Sequence, residues 1–183
     1  MNRRRPVAVA ITGGIGAGKS ESLAAFARHG AATLSADQIV HDLIARDEDI
    51  RAALRRRFGT TERADIAEVV FAESDELAWL EQLLHPSVRA RTDAWLAEVD
   101  APIAVVEVPL LYETGGERRF DKVVVVTAPA AVRRARSQAA GDRREVRLIP
   151  DEEKVARADY VFENAGSLDE LDEFVAGVVA DLT

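Results

Sequence analysis

The chain has 183 residues, of which 48% are hydrophobic and 31% are charged, and its formal net charge at pH 7 is −8. These values fit one folded domain and argue against disorder and against general binding to nucleic acid. The lack of cysteine excludes disulfides, thiolate catalysis and cysteine-ligated metals, and no apolar run approaches the roughly 20 residues needed to cross a bilayer. We therefore expect a cytoplasmic protein without a nucleic-acid or membrane partner.

Short strand-like runs alternate with longer helical stretches along the chain. The alternation predicts an α/β, three-layer fold with a five-stranded parallel sheet covered by helices. The predicted strands are Val7–Ile11, Ala31–Leu34, Pro102–Val106, Lys122–Thr127 and Tyr160–Phe162. Helices are predicted over Lys19–His29, ended by Gly30, and from a capping box of Ser167 and Glu170 toward Leu182.

The stretch from Gln38 to Asp100 differs from the rest because it holds several helical segments and no convincing strand. Pro86 stands where the first residue of a helix over Val88–Val99 belongs. We interpret residues 38–100 as a helical insertion in a single domain, 1–183, and expect it to cover a substrate. A helical layer packed on the sheet would produce the same pattern.

A glycine-rich motif follows the first predicted strand. Residues 13–20 have the pattern G-x-x-x-x-G-K-S, in which the backbone can curl so that its N–H groups face phosphate oxygens. The following helix directs its positive end at the same anion. Lys19 can reach the β- and γ-phosphates, and the Ser20 hydroxyl can ligate Mg²⁺. The motif predicts binding of a nucleoside triphosphate.

The motif leaves the reaction open, but the rest of the chain narrows it. The Asn-Lys-x-Asp guanine-reading motif typical of GTPases is missing, and motor and helicase ATPases are generally larger. A small chain with a helical insertion favours a kinase that acts on a small molecule.

Two carboxylates follow predicted strands at the sheet edge where α/β proteins bind ligands. Asp37 comes just after the second strand and could accept or direct the proton of an attacking hydroxyl; it could equally cap a helix, unless Ser35 does so. Glu107 closes the third strand and could hold Mg²⁺ through water or contact substrate, or it could be an ordinary charged strand end.

An arginine-rich segment follows the helix that Pro129 opens. We interpret residues from about 136 to 150 as a short arginine-rich lid whose guanidinium groups neutralise phosphoryl-transfer charge and exclude water. Arg136 is the first candidate, and the alternative is a solvated helix face. The arginines of the segment are Arg133, Arg134, Arg136, Arg143, Arg144 and Arg147. The run Arg55–Arg57 is interpreted as solvated surface.

Assembled in order, these motifs resemble the dephospho-coenzyme A kinase family from Val9 to about Leu171. The opening Ile11–Ser20 and Ser35–Asp37 are similar to the family's phosphate loop and its Asp-Ala-Asp element. The elements Leu83–Val88 (Leu-Leu-His-Pro-Ser-Val) and Glu107–Glu113 (Glu-Val-Pro-Leu-Leu-Tyr-Glu) carry the most specific part of the resemblance. Further matches are Phe58-Gly59, Arg63, Val70-Phe71, Glu153-Lys154, Ala158-Asp159, Asn164 and Gly166.

The resemblance implies transfer of the ATP γ-phosphate to the ribose 3′-hydroxyl of dephospho-coenzyme A. It implies that Asp37 is the base and that Lys19, Ser20 and Arg136 serve the phosphates and Mg²⁺. The predicted ATP site comprises Thr12, Gly13, Gly14, Ile15, Gly16, Ala17, Gly18, Lys19, Ser20, Glu21, Asn164 and Gly166. The predicted substrate site comprises Asp37, His85, Glu107, Leu110, Tyr112 and Glu113. His85 could instead brace a helix that begins at Pro86. We expect a monomer or weak homo-oligomer.

Some positions depart from the family pattern. Ser35 replaces an aspartate, Glu21 stands where a threonine is common, and the stretch Ala140–Pro150 is several residues short. The short lid predicts a less well sealed site, with weaker catalysis or more ATP hydrolysis. The alternatives are therefore a nucleotide- or coenzyme A-binding homologue that has lost catalysis, and a P-loop kinase for another hydroxyl substrate.

Overall fold

The computed structural model describes residues 5–136 and 149–183. Five parallel strands form one sheet in the order β2-β3-β1-β4-β5. They are β1 (Val7–Gly13), β2 (Ala32–Ser35), β3 (Ile103–Glu107), β4 (Lys122–Thr127) and β5 (Tyr160–Glu163). The helices are α1 (Lys19–Arg28), α2 (Ala36–Arg46), α3 (Glu48–Phe58), α4 (Arg63–Ala72), α5 (Ser74–Glu98), α6 (Ala130–Arg136), α7 (Asp151–Ala156) and α8 (Leu168–Leu182).

The three central strands are apolar on both faces because helices or loops cover both sides of the sheet. On one side α1 and α8 pack on the sheet through buried residues such as Phe26, Leu171 and Val175. On the other side Leu111 and Tyr112, from the β3–β4 connection, pack against β1 and β4. The predicted α/β fold with a five-stranded parallel sheet is confirmed. Most of the predicted lid, from about residue 136 to residue 150, lies outside the described residues.

The ends of the strands bring the motif residues together. Gly13 at the end of β1 is level with Val126 of β4, and Ser35 at the end of β2 is level with Glu107 of β3. These are the carboxyl ends of parallel strands, where the loops that follow can build a site. Strand β1 is two residues longer than predicted because it continues through Thr12 to Gly13.

The chain divides into two compact units. One takes the residues up to Ser35 and from Leu96 onward, and it contains the sheet; the other is Ala36–Trp95. The second unit contains helices and no strand, and it covers most of the predicted insertion over residues 38–100. Among residues 5–136 and 149–183, no helix has both the length and the apolar character to span a membrane.

The prediction that a helix begins at Pro86 is wrong. Pro86 lies inside α5, a helix of 25 residues, with buried Leu84 before it and buried Thr92 after it. Proline within a helix removes one backbone hydrogen bond at a cost of about 3 kcal/mol, so local preference alone favours a break. Leu84 and Thr92 are buried on either side of the proline, and the free energy gained from their burial offsets the cost of the lost hydrogen bond. His85 therefore lies in mid-helix and does not brace a helix start.

Candidate active site

The glycine-rich loop is built into the end of the sheet. Gly13 has a positive φ of 147°, and a Cβ there would lie 1.9 Å from the carbonyl oxygen of Val126. Gly18 precedes α1 at φ 99°, where a Cβ would lie 2.2 Å from Asn164 Nδ2. Only glycine satisfies both the backbone angle and the close approach at these positions. Thr12 is buried beneath the loop, and its hydroxyl donates to Pro109 O at 3.4 Å.

Lys19 and the first turn of α1 follow the loop directly, and the Lys19 side chain folds back onto it. Lys19 Nζ donates to the carbonyl oxygens of Gly13 at 3.2 Å and Gly14 at 2.9 Å, so the ammonium group lies on the loop. The first intrahelical bond runs from Ser22 N to Gly18 O at 3.0 Å. The N–H groups of the preceding turn have no intrahelical acceptor, as at every helix start, and suit a phosphate.

Glu21 lies in that first turn, but its carboxylate is directed along the helix. It accepts from Arg28 Nη1 at 3.3 Å, two turns further on. The carboxylate therefore points away from the loop, and the role of Glu21 in the predicted ATP site stays a prediction.

Ser20 and Glu107 meet across the end of the sheet. The Ser20 hydroxyl donates to Glu107 Oε1 at 3.2 Å, and Glu107 is only 5% exposed although it is a carboxylate. A hydroxyl and a carboxylate at this separation are oxygen ligands of the kind that Mg²⁺ takes, usually together with waters and substrate phosphates. Among residues 5–136 and 149–183, no group of three or more His, Cys, Asp or Glu could form an all-protein metal cage.

Asn164 ties the loop to the end of β5. It is 5% exposed, and its Nδ2 donates to Ala17 O at 2.9 Å, while its backbone N donates to Thr127 O at 2.7 Å. Arg136 in turn donates to Asn164, from Nη1 to the backbone oxygen at 3.3 Å and from Nη2 to Oδ1 at 3.4 Å. The loop, β5 and α6 are thus joined through one buried amide.

A second polar cluster contains Glu113 and a lysine that is fully buried. Lys154 Nζ lies 3.0 Å from Glu113 Oε1, and Ile149 N donates to the same oxygen at 3.0 Å. Beside the loop, Arg133 Nη1 lies 3.5 Å from Asp151 Oδ2 and occupies the space that a Cβ on Gly14 would need.

Comparison with known proteins decides the family. The model of the dephospho-CoA kinase family matches residues 7–170. A dephospho-CoA kinase of Brucella melitensis is 38% identical over 195 residues, covering 97% of this chain and 96% of its own. The chain belongs to the dephospho-CoA kinase family. A crystal structure of a Thermus thermophilus protein matches with a TM-score of 0.82 and 33% identity, covering 98% of this chain and 100% of that one.

The shared fold extends to more distant members. The structure of dephospho-CoA kinase from Campylobacter jejuni matches with a TM-score of 0.68 at 23% identity, over 98% of this chain and 99% of that one. The resemblance inferred from the motifs is therefore confirmed at the level of the family and its fold.

In this dephospho-CoA kinase family member, the structure brings together part of the predicted site. The loop residues, Glu107, Asn164 and Arg136 belong to one cluster. Gly166 lies just before the Ser167 cap of α8, where the Glu170 carboxylate occupies the space of a Cβ.

The predicted substrate residues of the β3–β4 connection have different surroundings. Leu110 is half-buried, and its carbonyl oxygen accepts from Thr114 Oγ1 at 2.8 Å. Tyr112 is buried, its ring faces the Arg157 guanidinium at 4.2 Å, and burial raises the pKa of its hydroxyl. Glu113 is engaged by Lys154. These contacts make Tyr112 and Glu113 part of the packing of this unit, and their substrate role stays a prediction.

Asp37 and His85 belong to the second compact unit. Helix α2 begins at Ala36, so Asp37 is in its first turn and is not the residue that caps it; that alternative is wrong. Strand β2 ends at Ser35 and α2 begins at Ala36, so Ser35 rather than Asp37 is the residue that directly precedes the helix. Asp37 is exposed, and His85 is half-buried in α5. Their roles stay predictions.

Sequence reasoning gave no separate role to Arg133 or Lys154. A lysine is normally exposed, so its burial leaves no signal in the sequence beyond the Glu153-Lys154 match. Of the other arginines in the segment, Arg143, Arg144 and Arg147 lie outside the described residues, and Arg134 is on α6.

Proposed function

We propose that this chain transfers the γ-phosphate of ATP to the ribose 3′-hydroxyl of dephospho-CoA, giving CoA and ADP. The observation that carries the proposal is the phosphate loop with Lys19 on it and with Ser20 bonded to the buried Glu107, in a chain of the dephospho-CoA kinase family. The substrate is a small molecule. We further propose that the chain acts as a monomer or weak homo-oligomer in the cytoplasm.

The loop supplies the donor site. Its N–H groups, with those of the first turn of α1, bind the β-phosphate, and Lys19 balances charge between the β- and γ-phosphates. Asn164 holds Ala17 O, which fixes the loop before the donor binds. The loop therefore loses less conformational entropy when the nucleotide binds.

Ser20 and Glu107 would hold Mg²⁺, Ser20 directly and Glu107 directly or through water. The ion supplies positive charge to the β- and γ-phosphate oxygens when it is bound. Glu107 also keeps the Ser20 hydroxyl oriented, because that hydroxyl donates to it.

We assign Asp37 as the base on the resemblance and on its place in the chain, two residues after Ser35, the register partner of Glu107. The 3′-oxygen attacks the γ-phosphorus, the bond from that phosphorus to the bridging oxygen of ADP breaks, and the hydroxyl proton passes to the Asp37 carboxylate. The protein contributes positioning and electrostatic stabilisation rather than covalent chemistry.

The test is incubation of the purified protein with ATP, Mg²⁺ and dephospho-CoA, followed by mass spectrometry of the products and a coupled assay of ADP release. We expect CoA and ADP as products, with any excess of ADP over CoA measuring ATP hydrolysis, and no phosphorylated product from a panel of other small alcohols. Binding of both ligands without turnover would support a homologue that has lost catalysis. Phosphorylation of a different alcohol would overturn the assignment of the acceptor.

A further inference from the structure

The buried ion pair of Glu113 and Lys154 has no role in the mechanism above. The Lys154 side chain is fully buried and that of Glu113 is 11% exposed. The two charges approach to 3.0 Å, but Lys154 Nζ has no aligned hydrogen bond to any of the described residues, and Glu113 Oε2 has none either. Two charges removed from water with incomplete hydrogen bonding are weak evidence for stability, since apolar residues of similar volume often serve as well. This suggests that the pair specifies a position.

Glu113 contacts both the segment before α7 and a residue within α7. Glu113 lies in the β3–β4 connection, next to buried Tyr112 and Leu111. Its Oε1 accepts from Ile149 N, two residues before α7, and faces Lys154, the fourth residue of α7. A helix of six residues has little stability of its own. Its position in this unit therefore depends on contacts such as these two.

Helix α7 begins with Asp151, which faces Arg133, a residue of α6 that lies against the phosphate loop. Arg133 Nη1 lies 3.5 Å from Asp151 Oδ2, and the same nitrogen would lie 2.6 Å from a Cβ on Gly14. Arg133 O would lie 3.1 Å from a Cβ on Gly16. The residue therefore lies against the loop with both its backbone and its guanidinium group. Its Nε is buried and has no hydrogen-bond partner among the described residues.

We propose that Glu113 and Lys154 are positioning residues for nucleotide binding: they hold α7 so that Asp151 orients the Arg133 guanidinium over the phosphate loop. Arg133 then supplies charge-assisted hydrogen bonds to the donor phosphates. The proposal rests on the proposed function only in taking a nucleoside triphosphate as the ligand of the loop, and it assigns Glu113 a role other than substrate contact.

The test measures nucleotide affinity without the acceptor. In the double variant Glu113→Gln/Lys154→Met, glutamine retains an acceptor for Ile149 N and methionine fills the space of the lysine stem. We expect the Kd for ATP with Mg²⁺, measured by titration calorimetry, to rise about tenfold, the cost of one charge-assisted hydrogen bond. In a separate assay of transfer, the KM for dephospho-CoA should stay within twofold of wild type. The single variant Lys154→Arg keeps the positive charge beside Glu113, so its Kd for ATP should lie closer to that of wild type than to that of the double variant.

A thermodynamic cycle with Arg133→Ala separates positioning from general damage to the fold. If Glu113 and Lys154 act through Arg133, adding Glu113→Gln/Lys154→Met to Arg133→Ala should raise the Kd little further. Independent, multiplied effects would overturn the proposal, as would an unchanged Kd in the pair variant. The control is Lys122→Met, which removes the exposed ion pair with Asp159 at the opposite end of β4 and should leave the Kd unchanged.

Should the pair variant fail to fold, Asp151→Asn tests the same proposal from a partly exposed position. It removes the charge that faces Arg133 and leaves the Glu113–Lys154 pair in place. We expect a weaker but measurable rise in Kd, absent in the Arg133→Ala background; no rise in either background would contradict the proposal. Because the Kd measurements omit the acceptor, they stand even if dephospho-CoA proves not to be the substrate.

Discussion

At the scale of single residues, the proposed mechanism depends on side chains whose charge would act on phosphate. Lys19 lies on the loop carbonyls, within reach of whatever the loop binds. Lys19→Met should lower kcat about 100-fold or more, because one preorganised charge facing the transition state is lost. A coupled ADP-release assay measures the effect. Lys122→Met, which removes an ion pair with Asp159 at the far end of β4 from the loop, is the control, and an unaffected rate in Lys19→Met would contradict the mechanism.

The assignment of Asp37 as base can be tested with its neighbour on the same helix. Asp37→Asn should lower kcat about 100- to 10,000-fold, since general base catalysis is worth that much, while the Kd for ATP stays unchanged. Asp42→Asn removes a half-buried carboxylate of α2 that accepts from Gln38, and it should leave both values near wild type. A kcat for Asp37→Asn close to that of wild type would rule out the base.

The Ser20 hydroxyl is the side chain that we propose as a direct ligand of Mg²⁺. Removing Mg²⁺ with a chelator should abolish transfer, and Ser20→Ala should raise the Mg²⁺ concentration for half-maximal activity about tenfold, because a ligand held by Glu107 is lost. Activity measured across a Mg²⁺ titration gives the shift. Ser22→Ala, whose hydroxyl donates within the helix to Gly18 O, provides the matched serine control. Equal shifts in the two variants would argue against Ser20 as a ligand.

At the scale of elements, α8 closes one side of the sheet and begins at a complete capping box. The Ser167 hydroxyl accepts from Glu170 N at 3.2 Å, and Glu170 Oε2 accepts from Ser167 N at 3.3 Å. Ser167→Ala should lower the free energy of unfolding by about 1 kcal/mol, measured in urea, because a helix N–H loses its acceptor. Thr183→Ala, at the opposite end of α8, should change it by less than about 0.5 kcal/mol. A Ser167→Ala protein as stable as wild type would mean that the box contributes nothing.

The helices also show which local sequence patterns predict the folded structure correctly and which do not. The capping box was predictable because both partners lie within four residues of each other and need nothing else. Pro86 was not predictable in the same way, because its place inside α5 depends on the burial of Leu84 and Thr92. The start of α2 at Ala36, rather than after Asp37, likewise follows from the direct passage of the chain out of β2.

At the scale of the whole molecule, stability should fall in strong alkali. The hydroxyl of Tyr160 in β5 donates to Asp181 of α8, and this bond raises the pKa of Tyr160 from 10.0 to about 12. A group whose pKa is higher in the folded state contributes stability below the unfolded pKa. That contribution is lost as the pH rises from about 10 to about 12. In Tyr160→Phe this part of the alkaline decline should be missing when unfolding free energy is measured against pH.

Stability should also fall in acid. The hydrogen bonds from His29 and Arg28 lower the pKa of Asp172, which joins α8 to the end of α1. The contribution of this carboxylate is complete above its unfolded pKa and is lost as the pH falls through the lowered value. Asp172→Asn should flatten the acid limb, and an acid limb identical to that of wild type would show that the pair does not couple folding to pH.

The sequence by itself determined the phosphate loop, the alternation that makes a parallel sheet, and the family, since each rests on residues close together or on fixed spacings. Only the tertiary structure decided that Ser20 meets Glu107, 87 positions away, and that Asn164 holds the loop through Ala17. It also decided that Glu113 faces a buried lysine rather than solvent. Such contacts join distant segments, and burial reverses the usual preference of a charged side chain for water. No local pattern of residue types carries that information.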